Sequence, residues 1–309
     1  MQIKHSVLMV SYNQEKYIGH ALDSIFNNTV LPDEVIILDD HSIDKTWDII
    51  QDFKARYPSI IKCDQNKENV GIYKNMSALW TAAKNSSCDV FSWCSGDDFL
   101  YAGLFEELNC VIEKDNIDLQ DDFIIITNSS ELYLNGEKKI INNYKLRQND
   151  LFKARIRGGL SYREVGISKN VIKKMGLIRD DIGLWGDLLF VLDFETKCKK
   201  FYFSSFVASC YRVGVGTVSH TKILEVMKSK IQVNNEIMYK YCNRLDNADR
   251  DFLRMENSFF RLYKDYNFSN LISFILWFFK NILHGERIKK DYISILIPSK
   301  IKKVIKRVP

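Results

Sequence analysis

The sequence has few of the features that mark several common protein classes. Only 4 of its 309 residues are proline, and its composition shows no disordered or fibrous bias. The five histidines form no HExxH or other zinc-binding pattern, so a zinc site is not expected. A GxxxxGK[ST] loop and a GxGxxG turn are both missing. This excludes a P-loop enzyme and a dinucleotide-binding fold.

The cysteines show no disulfide or metal framework. Their number is seven, which is odd, and no two of them are spaced as CxxC. The chain also has no amino-terminal pattern typical of a signal peptide. We therefore expect reduced thiols in a cytosolic protein.

The net charge of +5 belongs to the end of the chain. Residues 285–309 contain eight basic and two acidic residues, whereas the rest contains 36 basic and 37 acidic residues. The body of the chain therefore predicts no nucleic-acid groove. The apolar run at 271–279 is shorter than the roughly 20 residues that a membrane-spanning helix needs. We expect this tail to dock on an anionic membrane surface without crossing it. The alternative is an amphipathic helix buried against the preceding domain.

Apolar strands alternate with amphipathic helices through the first hundred residues. Continuous apolar runs at 6–11, 34–38 and 90–94 are typical of strands covered on both faces. Helical spacing of apolar residues separates them, which predicts a mostly parallel, doubly wound α/β sheet. Residues 200–203 and 207–213 are expected to form two paired strands. The pattern is helical from residue 220, so we predict a catalytic domain over 1–219 and a helical region over 220–309.

Three of the predicted strands end in polar residues suited to one ligand. Tyr12 and Asn13 follow the first strand, and Asp pairs follow the strands at 34–38 and 90–94. Parallel strands place these ends along one edge of the sheet, where α/β proteins bind ligands. A ring can stack on a nucleobase, one carboxylate can accept from it, and another can hold Mg²⁺ or Mn²⁺ on a diphosphate. The simpler alternatives are a surface turn at 96–98 and a helix cap at Asp40.

With these segments in order, the chain resembles family 2 glycosyltransferases, inverting nucleotide-sugar enzymes with the GT-A fold. The resemblance covers residues 5–219. It rests on Val-Ser-Tyr-Asn at 10–13, Leu-Asp-Asp-His-Ser at 38–42, Asn-Val-Gly at 69–71, Gly-Asp-Asp at 96–98, Gly-Asp at 186–187 and Tyr-Arg at 211–212. Two positions depart from the family pattern. Gly186 stands where glutamate is usual, and Gly214 stands where a histidine is common.

The resemblance implies a role for each matching residue. Tyr12 would lie against the base, which is most often uracil, and Asp40 would accept a hydrogen bond from it. Asp98 would hold Mn²⁺ or Mg²⁺, with Asp97 nearer the ribose or donor sugar. Asp187 would be the general base. The remaining donor-binding residues would be Ser11, Asn13, Asn69, Gly71 and Arg212, the last near the phosphates.

Some of these residues have other interpretations. Asp187 could cap its own helix, which would leave Asp180, Asp181 and Asp193 as rival bases. Tyr12 could pack under its loop, and Arg212 could pair with a structural carboxylate.

The implied activity is metal-dependent transfer of a sugar from a UDP-sugar to an acceptor hydroxyl, with inversion. A lipid-linked glycan is the expected acceptor, by resemblance to bacterial polysaccharide-assembly enzymes. The expected location is peripheral, on the inner face of the cytoplasmic membrane. Two alternatives stay open: a nucleotidyltransferase of similar fold, and a pseudo-enzyme that binds a nucleotide-sugar without catalysis.

Overall fold

A computed structural model describes residues 2–143, 151–156, 165–216 and 223–264 of the chain. The chain divides into two compact units, Met1–Thr221 and Lys222–Pro309. All seven cysteines lie in the described ranges, and no disulfide joins any of them. Burial raises the pKa of Cys88 to about 11 and that of Cys198 to about 12, which keeps both thiols protonated at neutral pH.

The first unit is built on one mixed sheet. Its described strands are β1 His5–Ser11, β2 Glu34–Asp39, β3 Ile61–Gln65, β4 Val90–Trp93, β5 Phe99–Leu100, β6 Phe123–Leu132, β7 Lys138–Ile141, β8 Val165–Ser168 and β9 Lys200–Arg212. They lie in the order β3-β2-β1-β4-β8-β6-β9-β5, and β7 pairs with β6 outside that path.

The sheet is parallel on one side and mixed on the other. Strands β3, β2, β1 and β4 are mutually parallel, as the strand–helix alternation predicts. Strand β8 runs antiparallel to both of its neighbours, β4 and β6, while β6 and β9 are parallel. The predicted doubly wound arrangement therefore describes the first four strands, and the α/β class is confirmed for the whole unit.

Helices cover both faces of this sheet. They are α1 Ile18–Phe26, α2 Thr46–Arg56, α3 Ile72–Lys84, α4 Leu104–Lys114, α5 Leu151–Ile156, α6 Lys169–Lys174 and α7 Gly186–Lys197. Alternate residues of β1 point to opposite faces. Val7 and Met9 join a core with α1, α2 and α4, whereas Leu8 and Val10 join a core with α3, α6 and α7. Burial on both faces explains why the strand is a continuous apolar run.

The prediction of two paired strands at 200–203 and 207–213 is wrong. A single strand, β9, runs through residues 204–206, which lie between the two predicted segments. Ser204 is buried, and its hydroxyl donates to Glu107 and accepts from the Phe206 N–H. The pairing register with β6 shifts between Ile126 and Ser129, so the irregularity is a bulge within one strand.

The second unit contains two described helices, α8 Ile223–Lys240 and α9 Asn247–Lys264, which pack on each other. Their contact includes a buried polar cluster. The Asn234 amide donates to Glu256 at 2.8 Å and to Asn257 at 3.0 Å. The apolar run at 271–279 and the basic tail lie outside the described residues. Within the described part of the chain, no helix combines the length and apolar character that crossing a bilayer requires.

Candidate active site

A cavity of about 330 Å³ opens where the parallel strands β1, β2 and β4 end. Its wall includes seven of the residues to which the sequence analysis assigned a role: Ser11, Tyr12, Asp40, Asn69, Gly71, Asp97 and Asp187. Residues from β1, β2, β4 and the amino-terminal end of α7 therefore meet in one place, although they are up to 176 positions apart. Asn13, Asp98 and Arg212 are not part of this wall.

Asp40 is a buried residue at one end of the cavity. Its Oδ1 accepts from the Asn66 amide and the Val70 N–H, and its Oδ2 accepts from the Gly71 N–H, all at 2.9 Å. The Gly71 N–H also contacts Asn69 Oδ1 at 3.0 Å. Gly71 has a φ of 89°, a conformation that strains any residue with a side chain. The carboxylate therefore holds the loop before α3 against the end of β2.

Asp39 is a second buried carboxylate, and sequence reasoning gave it no role. It accepts from the hydroxyls of Ser11 and Ser42 at 2.8 and 2.6 Å, from the Ser42 N–H at 2.8 Å, and from the Gln65 amide at 2.9 Å. Ser11 and Gln65 are the last residues of β1 and β3, and Ser42 follows β2. Asp39 thus ties three strand ends together, and the Ser11 hydroxyl is used in that network.

In the loop after β1, Tyr12 lines the cavity, whereas Asn13 contacts the neighbouring loop. Tyr12 lines the cavity and is 43% exposed, so its ring is accessible to a ligand. Asn13 instead braces the neighbouring loop: its N–H donates to the Ser42 hydroxyl, and its Oδ1 accepts from the Ile43 N–H, both at 2.9 Å. Asn13 has a φ of 50°, which asparagine tolerates better than most residues. The structure therefore gives Asn13 a bracing role near the site.

The Gly96-Asp97-Asp98 turn directs its two carboxylates differently. Asp97 lines the cavity, and a Cβ added at Gly216 would lie 3.1 Å from Asp97 Oδ2. Asp98 is buried, and its Oδ1 accepts from the Arg212 N–H at 3.0 Å. The described residues contain no cluster of three or more His, Cys, Asp or Glu around one point. A divalent cation here would therefore need ligands from its substrate as well.

Arg212 is held away from the cavity. One guanidinium nitrogen donates to the Asp97 carbonyl at 2.6 Å, and another donates to His20 Nδ1 at 3.0 Å. The guanidinium also lies over the rings of Tyr17 and Phe99, 5.4 and 5.0 Å from their centroids. These contacts hold Arg212 against the Asp97-Asp98 turn. None of them is an ion pair with a structural carboxylate, which was the alternative interpretation of Arg212.

Asp187 lies in the first turn of α7 and lines the cavity. Its Oδ1 accepts from the Leu188 N–H at 2.9 Å. Position 186, just before it, requires glycine, because a Cβ there would lie 2.6 Å from the Arg179 carbonyl oxygen. The glutamate that the family resemblance implies at this position would not fit without moving that backbone. Gly214 is likewise required, because its φ is 90°.

The cavity wall also contains residues that sequence reasoning placed elsewhere or missed. Met76 and Trp80 pack in the core beside α3 and also reach the cavity, as do Tyr73, Trp93 and Phe190. Gln14 was missed, since a lone glutamine after a strand carries no motif. Among the described lining residues, three are acidic, namely Asp40, Asp97 and Asp187, and none is Lys, Arg or His.

Comparison with known proteins identifies a matching family model and related proteins. The family model described as Glycosyl transferase family 2 matches residues 6–174, which is more than half of the chain. An Escherichia coli protein named UDP-Gal:alpha-D-GlcNAc-diphosphoundecaprenol beta-1,3-galactosyltransferase is 28% identical over 190 residues, covering 59% of this chain and 66% of that protein. The first curated relatives matched are covered over only 27% to 39% of their own length.

Two solved structures share the fold. Residues 1–349 of S. aureus TarS, in complex with UDP-GlcNAc, superpose with a TM-score of 0.62 at 16% identity, covering 88% of this chain and 79% of that one. The mannosyltransferase PcManGT from Pyrobaculum calidifontis, in complex with GDP-Man and Mn²⁺, gives a TM-score of 0.54 at 13% identity, covering 96% and 79%. These likenesses confirm the GT-A architecture.

Proposed function

Because the chain belongs to glycosyl transferase family 2, we propose that it transfers a sugar from a UDP-sugar to an acceptor hydroxyl with inversion. The observation that carries this proposal is the single cavity that has Tyr12, Asp40, Asp97 and Asp187 on its wall. These residues supply a ring for a base, an acceptor for a base N–H, a carboxylate for a metal–diphosphate and a candidate base.

The nucleotide end of the cavity is the part around Tyr12 and Asp40. The exposed ring of Tyr12 is available to stack on uracil. Each carboxylate oxygen has more than one lone-pair site, and Asp40 Oδ2 accepts a hydrogen bond from the Gly71 N–H. It can therefore also accept from the uracil N–H. Ser11, Asn13 and Asn69 act by fixing the loops that form this end.

The diphosphate end requires a divalent cation. The acidic wall would repel a diphosphate, and no described basic residue lines the cavity. Asp97 on the wall and Asp98 beside it would hold Mn²⁺ or Mg²⁺, which often bind through one or two carboxylates plus substrate phosphates. The bound cation would neutralise the charge that develops on the departing UDP. Arg212 contributes by fixing the turn that carries both carboxylates.

Asp187 is the proposed general base. The acceptor hydroxyl is a poor nucleophile at neutral pH, so its proton must leave as its oxygen attacks the anomeric carbon. Asp187 takes this proton, a new glycosidic C–O bond forms, and the bond from the anomeric carbon to UDP breaks with its electron pair on UDP. Because the acceptor oxygen attacks from the side opposite UDP, the configuration at the anomeric carbon is inverted.

We propose a lipid-linked glycan as the acceptor, in cell-surface polysaccharide synthesis. The name of the Escherichia coli relative specifies a diphosphoundecaprenol-linked acceptor, which supports this class. The aromatic residues Tyr73, Trp93 and Phe190 on the cavity wall suit the apolar face of a sugar ring.

A donor screen tests the activity. The full chain is incubated with Mn²⁺, a lipid-diphosphate-linked saccharide and each of several UDP-sugars, with GDP-mannose as the nucleotide control. We expect UDP release with one preferred UDP-sugar, a fall to background in EDTA, and recovery on adding Mn²⁺ or Mg²⁺. Full activity in EDTA would contradict the metal role. Binding of a UDP-sugar without any turnover would favour a pseudo-enzyme.

The basic tail is proposed to bind the inner face of the membrane. Each exposed Lys or Arg near an anionic surface contributes up to about 1 kcal/mol. We expect the full chain to sediment with vesicles containing anionic lipid and to be released by high salt. A full-length variant with Lys300, Lys302, Lys303 and Lys306 changed to Gln should sediment less. Equal sedimentation of both chains would exclude this role of the tail.

A further inference from the structure

His20 is an exposed residue of α1 and is not part of the cavity wall. Its ring nevertheless contacts two side chains next to the Asp97-Asp98 turn. The Nδ1 atom lies 3.0 Å from a guanidinium nitrogen of Arg212. The ring also meets Phe99, the residue after Asp98, edge-on, with 4.8 Å between the ring centroids. Any effect of His20 on a ligand in the cavity must therefore act through these two neighbours.

The contact with Arg212 determines the form of the His20 ring. Arginine only donates hydrogen bonds, so Nδ1 is the unprotonated nitrogen and the ring proton lies on Nε2. Partial burial lowers the pKa of His20, and the charge of Arg212 lowers it further, although Asp23 opposes this. The ring is therefore neutral at neutral pH and accepts from Arg212.

The guanidinium of Arg212 is held at two of its nitrogens. One donates to the Asp97 carbonyl at 2.6 Å, and the other is the donor to His20. Because a guanidinium is planar and rigid, hydrogen bonds at two different nitrogens fix its orientation. With the Asp97 bond alone, the group could still turn over the rings of Tyr17 and Phe99, which attract its charge without fixing a direction. His20 thus supplies the second fixed point.

Arg212 in turn contacts both acidic residues of the turn. Its side chain binds the Asp97 carbonyl, and its backbone N–H donates to Asp98 Oδ1 at 3.0 Å. Asp97 also lines the cavity. A change in the orientation of Arg212 would therefore shift the residues proposed to hold the cation.

We infer that His20 is a positioning residue for the divalent cation, because it orients Arg212 and, through Arg212, the Asp97-Asp98 turn. The inference rests on the proposed function, in which this turn holds Mn²⁺ or Mg²⁺ on the diphosphate. Groups that orient metal ligands without binding the metal themselves commonly tune its affinity. His20 does so from the surface of α1, outside the cavity.

The test measures UDP affinity of the full chain by calorimetry at a series of Mn²⁺ concentrations. His20→Phe keeps a ring beside Phe99 but has no acceptor. His20→Asn is the matched control, because its side-chain oxygen is attached to Cγ, as Nδ1 is, and can still accept. In His20→Phe, the gain in UDP affinity on adding Mn²⁺ should shrink about tenfold, the lower end of the effect of removing such a positioning group. His20→Asn should keep most of the gain.

Two further measurements separate this role from a structural one. Uridine lacks the diphosphate, so its affinity without metal should be native in both variants, as should the Tm of this exposed position. A double-mutant cycle then tests whether His20 acts through Arg212. In an Arg212→Met chain, adding His20→Phe should cause no further loss of the Mn²⁺ effect.

Each other outcome has a distinct meaning. A native Mn²⁺ effect in His20→Phe, or an equal loss in His20→Asn, would overturn the inference. A parallel loss of uridine affinity or a large fall in Tm would also overturn it, as would a further loss in the Arg212→Met chain. If Mn²⁺ does not raise the UDP affinity of the native chain, the proposed metal role fails and this inference fails with it.

Discussion

Asp187→Asn is expected to slow sugar transfer by about 10²- to 10⁴-fold, the usual contribution of a general base. Asparagine keeps the size and polarity of the side chain but cannot take the acceptor proton. UDP affinity should stay within about twofold, because Tyr12, Asp40 and Asp97 are untouched. The measurement is kcat at saturating donor beside the UDP dissociation constant.

The rival carboxylates provide matched controls. Asp180 is 54% exposed and pairs with Lys74, and Asp181 is 57% exposed and pairs with Arg179. The hydrogen bonds from Arg179 lower the pKa of Asp181, which makes it a poorer base. Neither residue lines the cavity, so Asp180→Asn and Asp181→Asn should retain near-native turnover. If Asp187→Asn also retains it, Asp187 serves only the first turn of α7, where an asparagine oxygen can equally accept from the Leu188 N–H.

Asp40→Asn should act mainly on nucleotide binding. The asparagine oxygen can replace Oδ1 toward Asn66 and Val70, but its NH₂ group would then face the Gly71 N–H. Two donors would oppose each other, and the acceptor for the uracil N–H would be lost. We expect UDP affinity to fall about 5- to 150-fold and stability to fall by about 1–3 kcal/mol.

The chemical control for Asp40→Asn is Asp48→Asn. Asp48 is exposed on α2, so the same exchange there should change neither UDP affinity nor Tm. At saturating donor, Asp40→Asn should retain most of its kcat, because Asp187 is in place. Native UDP affinity in Asp40→Asn would mean that this carboxylate serves only the loop before α3.

The strand ends were predictable because local sequence determines them. An apolar run followed by polar residues marks the carboxyl end of a buried parallel strand. This reasoning correctly put Tyr12, Asp40 and Asp97 at one edge. The direction of a side chain within a turn is set by distant partners instead. Asp98 faces the Arg212 N–H, and no local pattern encodes that contact.

Other features could not be predicted from the sequence, because they too depend on partners far away in the chain. Asp39 reads as half of an acidic pair, but its four donors come from segments as far apart as Ser11 and Gln65. The close approach of the Gln14 amide to Gly96, where a Cβ would lie 2.3 Å from Gln14 Oε1, also follows from the fold alone. The presence of glycine instead of glutamate at position 186 is explained only by the folded structure, in which the Arg179 carbonyl oxygen lies close to that position.

The bond between Asp98 and the Arg212 N–H spans 114 residues, and it affects when the protein can first use its ligand. During synthesis, a nascent chain that has reached residue 174 contains the whole segment matched to the family. It still lacks α7 with Asp187, and it lacks β9, which pairs with both β6 and β5. Such a chain lacks part of the cavity wall, so a ligand that contacts the complete wall would stabilise it less than it stabilises the finished unit. Ligand binding would therefore contribute most to stability after α7 and β9 have folded, and earlier intermediates would rely on their own hydrophobic core.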